Sequence, residues 1–295
     1  MTDFATGWVE DSSAVSALLE ELPQPFASNT PAGQVEELPE RVHLWDIARK
    51  VTGALLPPRN QGAVGSCVSF GTARAVEYSM VCEIFQGEPE QFVELATEVI
   101  YGGSRVEIGG GKLSGDGSVG AWAADWCRKY GVLGREKYNE IDLTIYDEKR
   151  CREWGKSGIP TSIEDLAKLH PTRSTTLVQN WEEARRMLAS GYGIALCSSQ
   201  GFSMIRDGNG ISAPKGIWNH CMTLCGYDSI NGQQHGRFDN SWGGEAHTGP
   251  VGPGAPGPEG FWASAIIIDK MLRQGDSWAF SCVEGFPARK LRWIL

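Results

Sequence analysis

Apolar and polar positions follow two regimes along the chain. Residues 66–85 contain no proline and carry apolar side chains on most faces of a helical wheel, the pattern of a helix buried on all sides. Residues 12–22 predict a short amphipathic helix, with Val15, Leu18, Leu19 and Leu22 in one stripe and Ser12 or Ser13 as its cap. Two more helices are predicted over 119–130 and 181–190, and the glycine-rich stretch 102–120 reads as a loop. Beyond residue 193 the pattern changes. Residues 193–198, 219–227, 236–240 and 261–268 are short apolar or alternating runs, most of them bounded by glycine, and predict strands. Helices early and strands late imply an α+β fold with two unlike halves and no internal repeat.

Pro23, Pro25, Pro31 and Gly33 read as a linker, so the compact domain is expected to begin near Leu38, with an arm over 1–37 and the domain over 38–295. The charge supports this division. The net charge is −9, and residues 1–40 hold eight acids with no Lys or Arg. The excess of acid argues against general nucleic-acid binding. The arm's apolar stripe needs a surface, either the body of its own chain, where it would act as a short built-in inhibitor, or a partner. The arm's charge and proline-rich root favour an outward tether for a basic partner or a second copy of the chain, with basic residues Arg289, Lys290 and Arg292 as further docking elements. No run of apolar residues is long enough for a membrane span, and no secretory signal is recognisable, so a cytoplasmic or virion-associated protein is expected.

Eight widely spaced cysteines without that signal suggest free thiols rather than a disulfide framework. No CxxC pair is present, and Cys221 and Cys225 lie on a strand-like run, so neither a metal nor a cofactor is expected. Residues 109–112 (GGGK) lack the spacing of a phosphate loop. The collagen-like stretch 249–260 breaks its glycine register and reads as an irregular surface loop.

Three segments carry chemistry. In the first, glycines 62 and 65 lead a loop into the buried helix, and Cys67 falls in its first turn, where backbone N–H groups favour a thiolate. In the second, His220 opens an apolar strand; in the third, Asn240-Ser241-Trp242-Gly243 follows a strand. Taken singly, each is an ordinary core or turn feature. Together they offer a nucleophile, a base and a group to orient the base.

This set resembles the papain-like cysteine peptidases of papain and cathepsin type. Gln61 stands six residues before Cys67, as the family's glutamine does, and Asn-Ser-Trp-Gly is intact at 240–243. Leu38-Pro39-Glu40-Arg41-Val42 is similar to the start of the family's mature domain, and Asp116-Gly117-Ser118 with Tyr130-Gly131-Val132 to its cleft loop and the helix that follows. The resemblance covers roughly residues 38–270. It implies a two-lobed fold: a helical left lobe (about 50–165), a β-barrel-like right lobe (about 166–295) and an active-site cleft between them. It also implies an endopeptidase in which Cys67 is the nucleophile, paired as thiolate with imidazolium His220. Asn240 would orient the imidazole, Gln61 and the Cys67 N–H would form the oxyanion hole, and Trp242 would shield the His–Asn bond. Gly117 and Ser118, with Trp242, would meet the substrate.

The sequence departs from the family at four places. Val64 replaces a disulfide cysteine, Val68 replaces an aromatic residue, the second Trp-Gly after 243 is missing, and the arm is short for an inhibitory pro-region. Two other readings stay open: a papain-fold structural or binding component of a larger assembly such as a virus particle, and acyl transfer or amidase work with the same thiol.

Overall fold

The computed structural model describes residues 4–88, 91–289 and 291. Its elements run α1 (Ser12–Glu21), β1 (Val42–His43), α2 (Leu44–Thr52), α3 (Cys67–Phe85), α4 (Thr97–Gly103), α5 (Gly120–Lys129), β2 (Lys137–Tyr138), β3 (Ile141–Asp142), α6 (Glu148–Ser157), α7 (Thr161–Ala167), β4 (Ser174–Leu177), α8 (Trp181–Ala189), β5 (Ile194–Arg206), β6 (Ser212–Ile230), β7 (Gln233–Asp239), β8 (Phe261–Ser264), α9 (Ala265–Leu272) and β9 (Ser277–Ser281). This is the expected α+β class, with the long strands β5–β7 after most of the helices.

α3 is buried on nearly every face because both of its sides are covered. Tyr78, Val81 and Cys82 pack with the sheet-side core of Trp45, Tyr192, Phe238 and Trp262. Val68, Ala73 and Val76 pack with the helical core of Val99, Trp126, Leu133 and Ile163. Its first residue, Cys67, is fully buried in the second of these cores. The larger sheet has the order β4-β9-β5-β6-β7-β8, with β1 added on β6, and every pairing in it is antiparallel. β5 and β6 stay in register from Ile194↔Leu224 to Ser198↔His220, then slip repeatedly. Those irregularities carry both strands past the core; residues 213–217 of β6 are exposed.

Several expectations need correction. Residues 102–108 are not loop: α4 runs to Gly103 and continues as a wider π-type turn over Ser104–Ile108. Gly102 and Gly103 are there for packing, since a methyl group on Gly103 would lie 2.2 Å from the Trp126 ring. Residues 265–268 begin a helix rather than extending β8, which stops at Ser264. α1 is capped by Asp11, whose carboxylate accepts the Ala14 N–H at 2.9 Å, and not by Ser12 or Ser13. The proline-rich segment is no free linker. It folds into two short 3-10 turns, Ala27–Asn29 and Ala32–Gln34, whose Ala27 and Ala32 are fully buried. α2, α6 and α7 were not foreseen from the pattern. No disulfide forms among the described residues. Among them, too, no helix is long and apolar enough to cross a membrane. Arg289 is engaged internally, 2.7 Å from buried Glu83, rather than presented for docking; Lys290 and Arg292 lie outside the described residues.

Candidate active site

Three backbone segments converge on the start of α3. The 59–61 loop is zipped to the 241–243 loop: the Gln61 N–H donates to Ser241 O at 2.8 Å, and the Gly243 N–H donates to Arg59 O at 2.8 Å. β6 and β7 pair through Thr223↔Asp239, which brings His220 and Asn240 together. A buried ionic network beneath binds these parts. Arg59 pairs with Glu77 of α3, Arg74 lies 3.3 Å from the same carboxylate, and Tyr78 donates to Asp239 at 2.6 Å. Burying these charges is costly unless they are paired, and the pairing ties the glutamine loop, α3 and the asparagine strand into one unit.

His220, Asn240, Gln61 and Trp242 form one constellation, and the Cys67 sulfur meets the backbone of Cys221, the residue after His220. His220 Nε2 lies 2.8 Å from Asn240 Oδ1, and the Ser241 N–H donates to the same oxygen at 2.7 Å. His220 Nε2 therefore carries the proton, leaving Nδ1 as the basic nitrogen. Nδ1 is buried and has no hydrogen-bond partner among the described residues. Trp242 stacks on the imidazole, with ring centroids 4.4 Å apart, and covers the face the sequence assigned to it. The Ser241 hydroxyl donates to Gln61 Oε1 at 2.6 Å, and Gln61 Nε2 donates to Val64 O at 2.8 Å as well as toward the arm.

The cleft is occupied by the chain's own N-terminal residues. The Ser118 N–H donates to Gly7 O at 2.8 Å, and the Val9 N–H donates to Ser118 O at 2.9 Å, so Trp8 pairs with Ser118 as a strand would, in parallel sense. On the opposite wall, the Gly7 and Trp8 N–H groups share Asn219 O, both at 2.9 Å. Ala5 O accepts from Trp242 Nε1 at 2.9 Å and from Gln61 Nε2 at 3.2 Å. Phe4 stacks on Trp242 and Trp8 is buried, its indole N–H donating to Asp276 at 2.8 Å. α1 then docks on α5, burying Leu18 and Leu22 and setting Glu21 2.6 Å from Arg128. The expected outward tether is thus not formed: the arm lies over its own body. Its apolar stripe and aromatic residues find a surface there, which outweighs its acidic character.

A profile of the papain family cysteine proteases matches residues 42–249. The chain belongs to this family. Among solved structures it is similar to xylellain, a cysteine protease from Xylella fastidiosa, at TM-score 0.58 and 19% identity over 96% of this chain and 95% of that one. It is also similar to procathepsin B S9 from Trypanosoma congolense (TM-score 0.57, 14% identity, 97% and 87% covered). Digestive procathepsin L 3 of Tenebrio molitor larval midgut is a third (0.55, 16%, 90% and 79%). No curated protein matched the chain. The papain-like fold expected from the motifs is the fold observed.

The electrostatics of this papain-family site are those of a closed cleft. Burial pushes the Cys67 thiol up to about 12; backbone N–H groups of Cys221, Gly7 and Val68 oppose the shift without reversing it. Burial likewise lowers His220 to about 4, against the favourable bond to Asn240. Burial thus disfavours charge on both the thiol and the imidazole in this conformation.

Of the expected site residues, Gly117 and Ser118 hold the arm: Ser118 pairs with Trp8, and Gly117 lies against Gly7. Gly117 has φ +115°, and a methyl group there would lie 2.8 Å from Gly7 O, so only glycine lets the arm approach. Two contributors escaped the sequence reading. Asp276 collects the indole N–H groups of Trp8 and Trp278 and the backbone N–H of Gly120. His247 stands 3.0 Å from Asn240 Nδ2. Neither lies in a motif; both are isolated polar residues in or beside glycine-rich loops.

Proposed function

We propose that the chain is an active cysteine peptidase kept latent by residues 4–9 of its own arm. One observation carries the reading: a backbone strand of the chain bridges both cleft walls and directs a carbonyl, Ala5 O, at the Gln61 side-chain donor. A cleft that holds one peptide strand in this way is shaped to hold another. The procathepsins among the similar structures are named as pro-forms, which agrees with a covered cleft.

With the arm displaced and the cleft wetted, the costs that hold both groups neutral fall away. His220 Nδ1 then takes the thiol proton, and the sulfur attacks the scissile carbonyl carbon. The negative oxygen that forms is met by Gln61 Nε2 and the Cys67 N–H. Imidazolium His220, held by Asn240 Oδ1, protonates the leaving amine as the C–N bond breaks. Water, deprotonated by His220, then splits the thioester and restores the thiol.

A panel of fluorogenic peptides tests the reading, with Cys67→Ala as control. Hydrolysis that depends on Cys67 supports it. Equal hydrolysis by the control, or none by any form with a displaced arm, overturns it.

A further inference from the structure

The side chain that orients the imidazole is itself held from behind. Asn240 has one oxygen and one nitrogen to distribute. The oxygen faces two donors, His220 Nε2 and the Ser241 N–H, at 2.8 and 2.7 Å. The nitrogen faces His247 Nε2 at 3.0 Å. An amide nitrogen can only donate, so His247 Nε2 must be the bare, accepting nitrogen of a neutral ring. The amide turned over would set its nitrogen against two donors and its oxygen against a lone pair.

His247 is 3% exposed, and its ring lies against Phe261 of β8 with centroids 4.8 Å apart. Its Nδ1, which carries the proton in this assignment, is buried and has no hydrogen-bond partner among the described residues. Its backbone oxygen accepts from Arg206 Nη2 at 3.0 Å, and the next residue is stitched to β5 by the bonds Arg206 N–H to Thr248 O and Thr248 N–H to Met204 O, both 2.9 Å. Arg206 from β5, Arg237 from β7 and His220 from β6 are the charged or titratable groups that face it. All three disfavour a second proton on its ring, and so does burial, which sets it at about 3.

We infer that His247 is a positioning residue for the site: as a neutral acceptor it locks the Asn240 amide so that Oδ1 meets His220 Nε2–H, and His220 keeps Nδ1 bare. By polarising the amide it also strengthens Oδ1 as an acceptor for the imidazolium formed in turnover. The catalytic benefit rests on the peptidase reading; the tautomer assignment does not.

The test therefore reads tautomers first. Imidazole nitrogen NMR on the full chain at pH 7 should show His247 protonated at Nδ1 and His220 at Nε2. His247 found protonated at Nε2 overturns the inference, whatever any variant does. In His247→Leu, His220 should shift measurably toward its other tautomer, and His247→Gln, which retains an acceptor, should restore the wild-type state. If peptide is turned over, His247→Leu should lower kcat about tenfold with KM unchanged and move the alkaline limb of the pH profile downward, with rescue by Gln. A His220 tautomer identical in folded Leu and wild-type proteins overturns the inference. If no peptide is turned over, the peptidase reading fails while the NMR result still decides the role of His247.

Discussion

Gly7 crosses Gly65 so closely that a methyl group on its Cα would stand 1.9 Å from the Gly65 carbonyl oxygen. That contact lies at the centre of the covered cleft, and the obstacle is backbone, which cannot swing aside. Gly7→Val should therefore expel residues 4–9 from the cleft while α1, docked on α5, stays in place. The expected result is a several-fold rise in peptide turnover, checked by initial rates against the wild-type chain. Unchanged or lower turnover in a folded Gly7→Val protein would mean that the arm does not limit access.

Alkylation of Cys67 gives the same relationship a chemical readout. A thiol at about 12 is neutral at physiological pH, and the arm also blocks the reagent. Iodoacetamide should modify Cys67 slowly in the wild-type chain between pH 6 and 8 and much faster in Gly7→Val. In that background His220→Ala should slow it again. Peptide mapping by mass spectrometry follows the residue.

Gln61 is expected to act on both the latent and the active form. Its Nε2 donates to the arm at Ala5 O and is the side-chain donor facing the cleft. Gln61→Ala in the Gly7→Val background should cut kcat by roughly 10²–10³-fold, the range found when one oxyanion donor is removed. A loss below tenfold would remove Gln61 from the chemistry.

Stability should depend on pH in two opposed ways. His220 and His247 are lowered to about 4 and about 3 by burial, so the unfolded chain takes up protons first and stability falls as pH drops below about 6.5. Glu259 is raised to about 7 by burial and by Asp239, so the folded chain holds a proton that the unfolded chain releases above about 4.5. Its contribution is lost as pH rises from there through 7. Glu259→Gln should then melt at about the wild-type temperature at pH 4.5 and several degrees above it at pH 8. Equal differences at both pH values would contradict this assignment.

The candidate site residues could be picked out in the sequence because the setting of each is local: a helix start for Cys67, a strand for His220, a strand end for Asn240. The arm's destination was not. Val15, Leu18, Leu19 and Leu22 announced a helix needing a surface, but the mates of Gly7 and Trp8 are backbone groups of Ser118 and Asn219, and those of Ala5 are the single side chains of Gln61 and Trp242. Backbone pairing leaves no trace in side-chain pattern. The charge count pointed outward, whereas the aromatic contacts of Phe4 and Trp8 decided the placement. Residues 102–108 misled for a related reason: their glycines make room for Trp126 and Trp154, which propensity alone reads as loop. His247 gave no signal, since its role exists only once β5 and β7 bring its loop beneath Asn240.

The account's central claim is that Cys67 becomes acylated during turnover. Rapid acid quench of the Gly7→Val protein with a peptide ester, followed by peptide mapping, measures this directly. The expected result is an acyl group carried on the peptide containing Cys67, appearing before steady state and absent in Cys67→Ala. Steady hydrolysis with Cys67 unmodified at every time point, or an acyl group on a different cysteine, would contradict it.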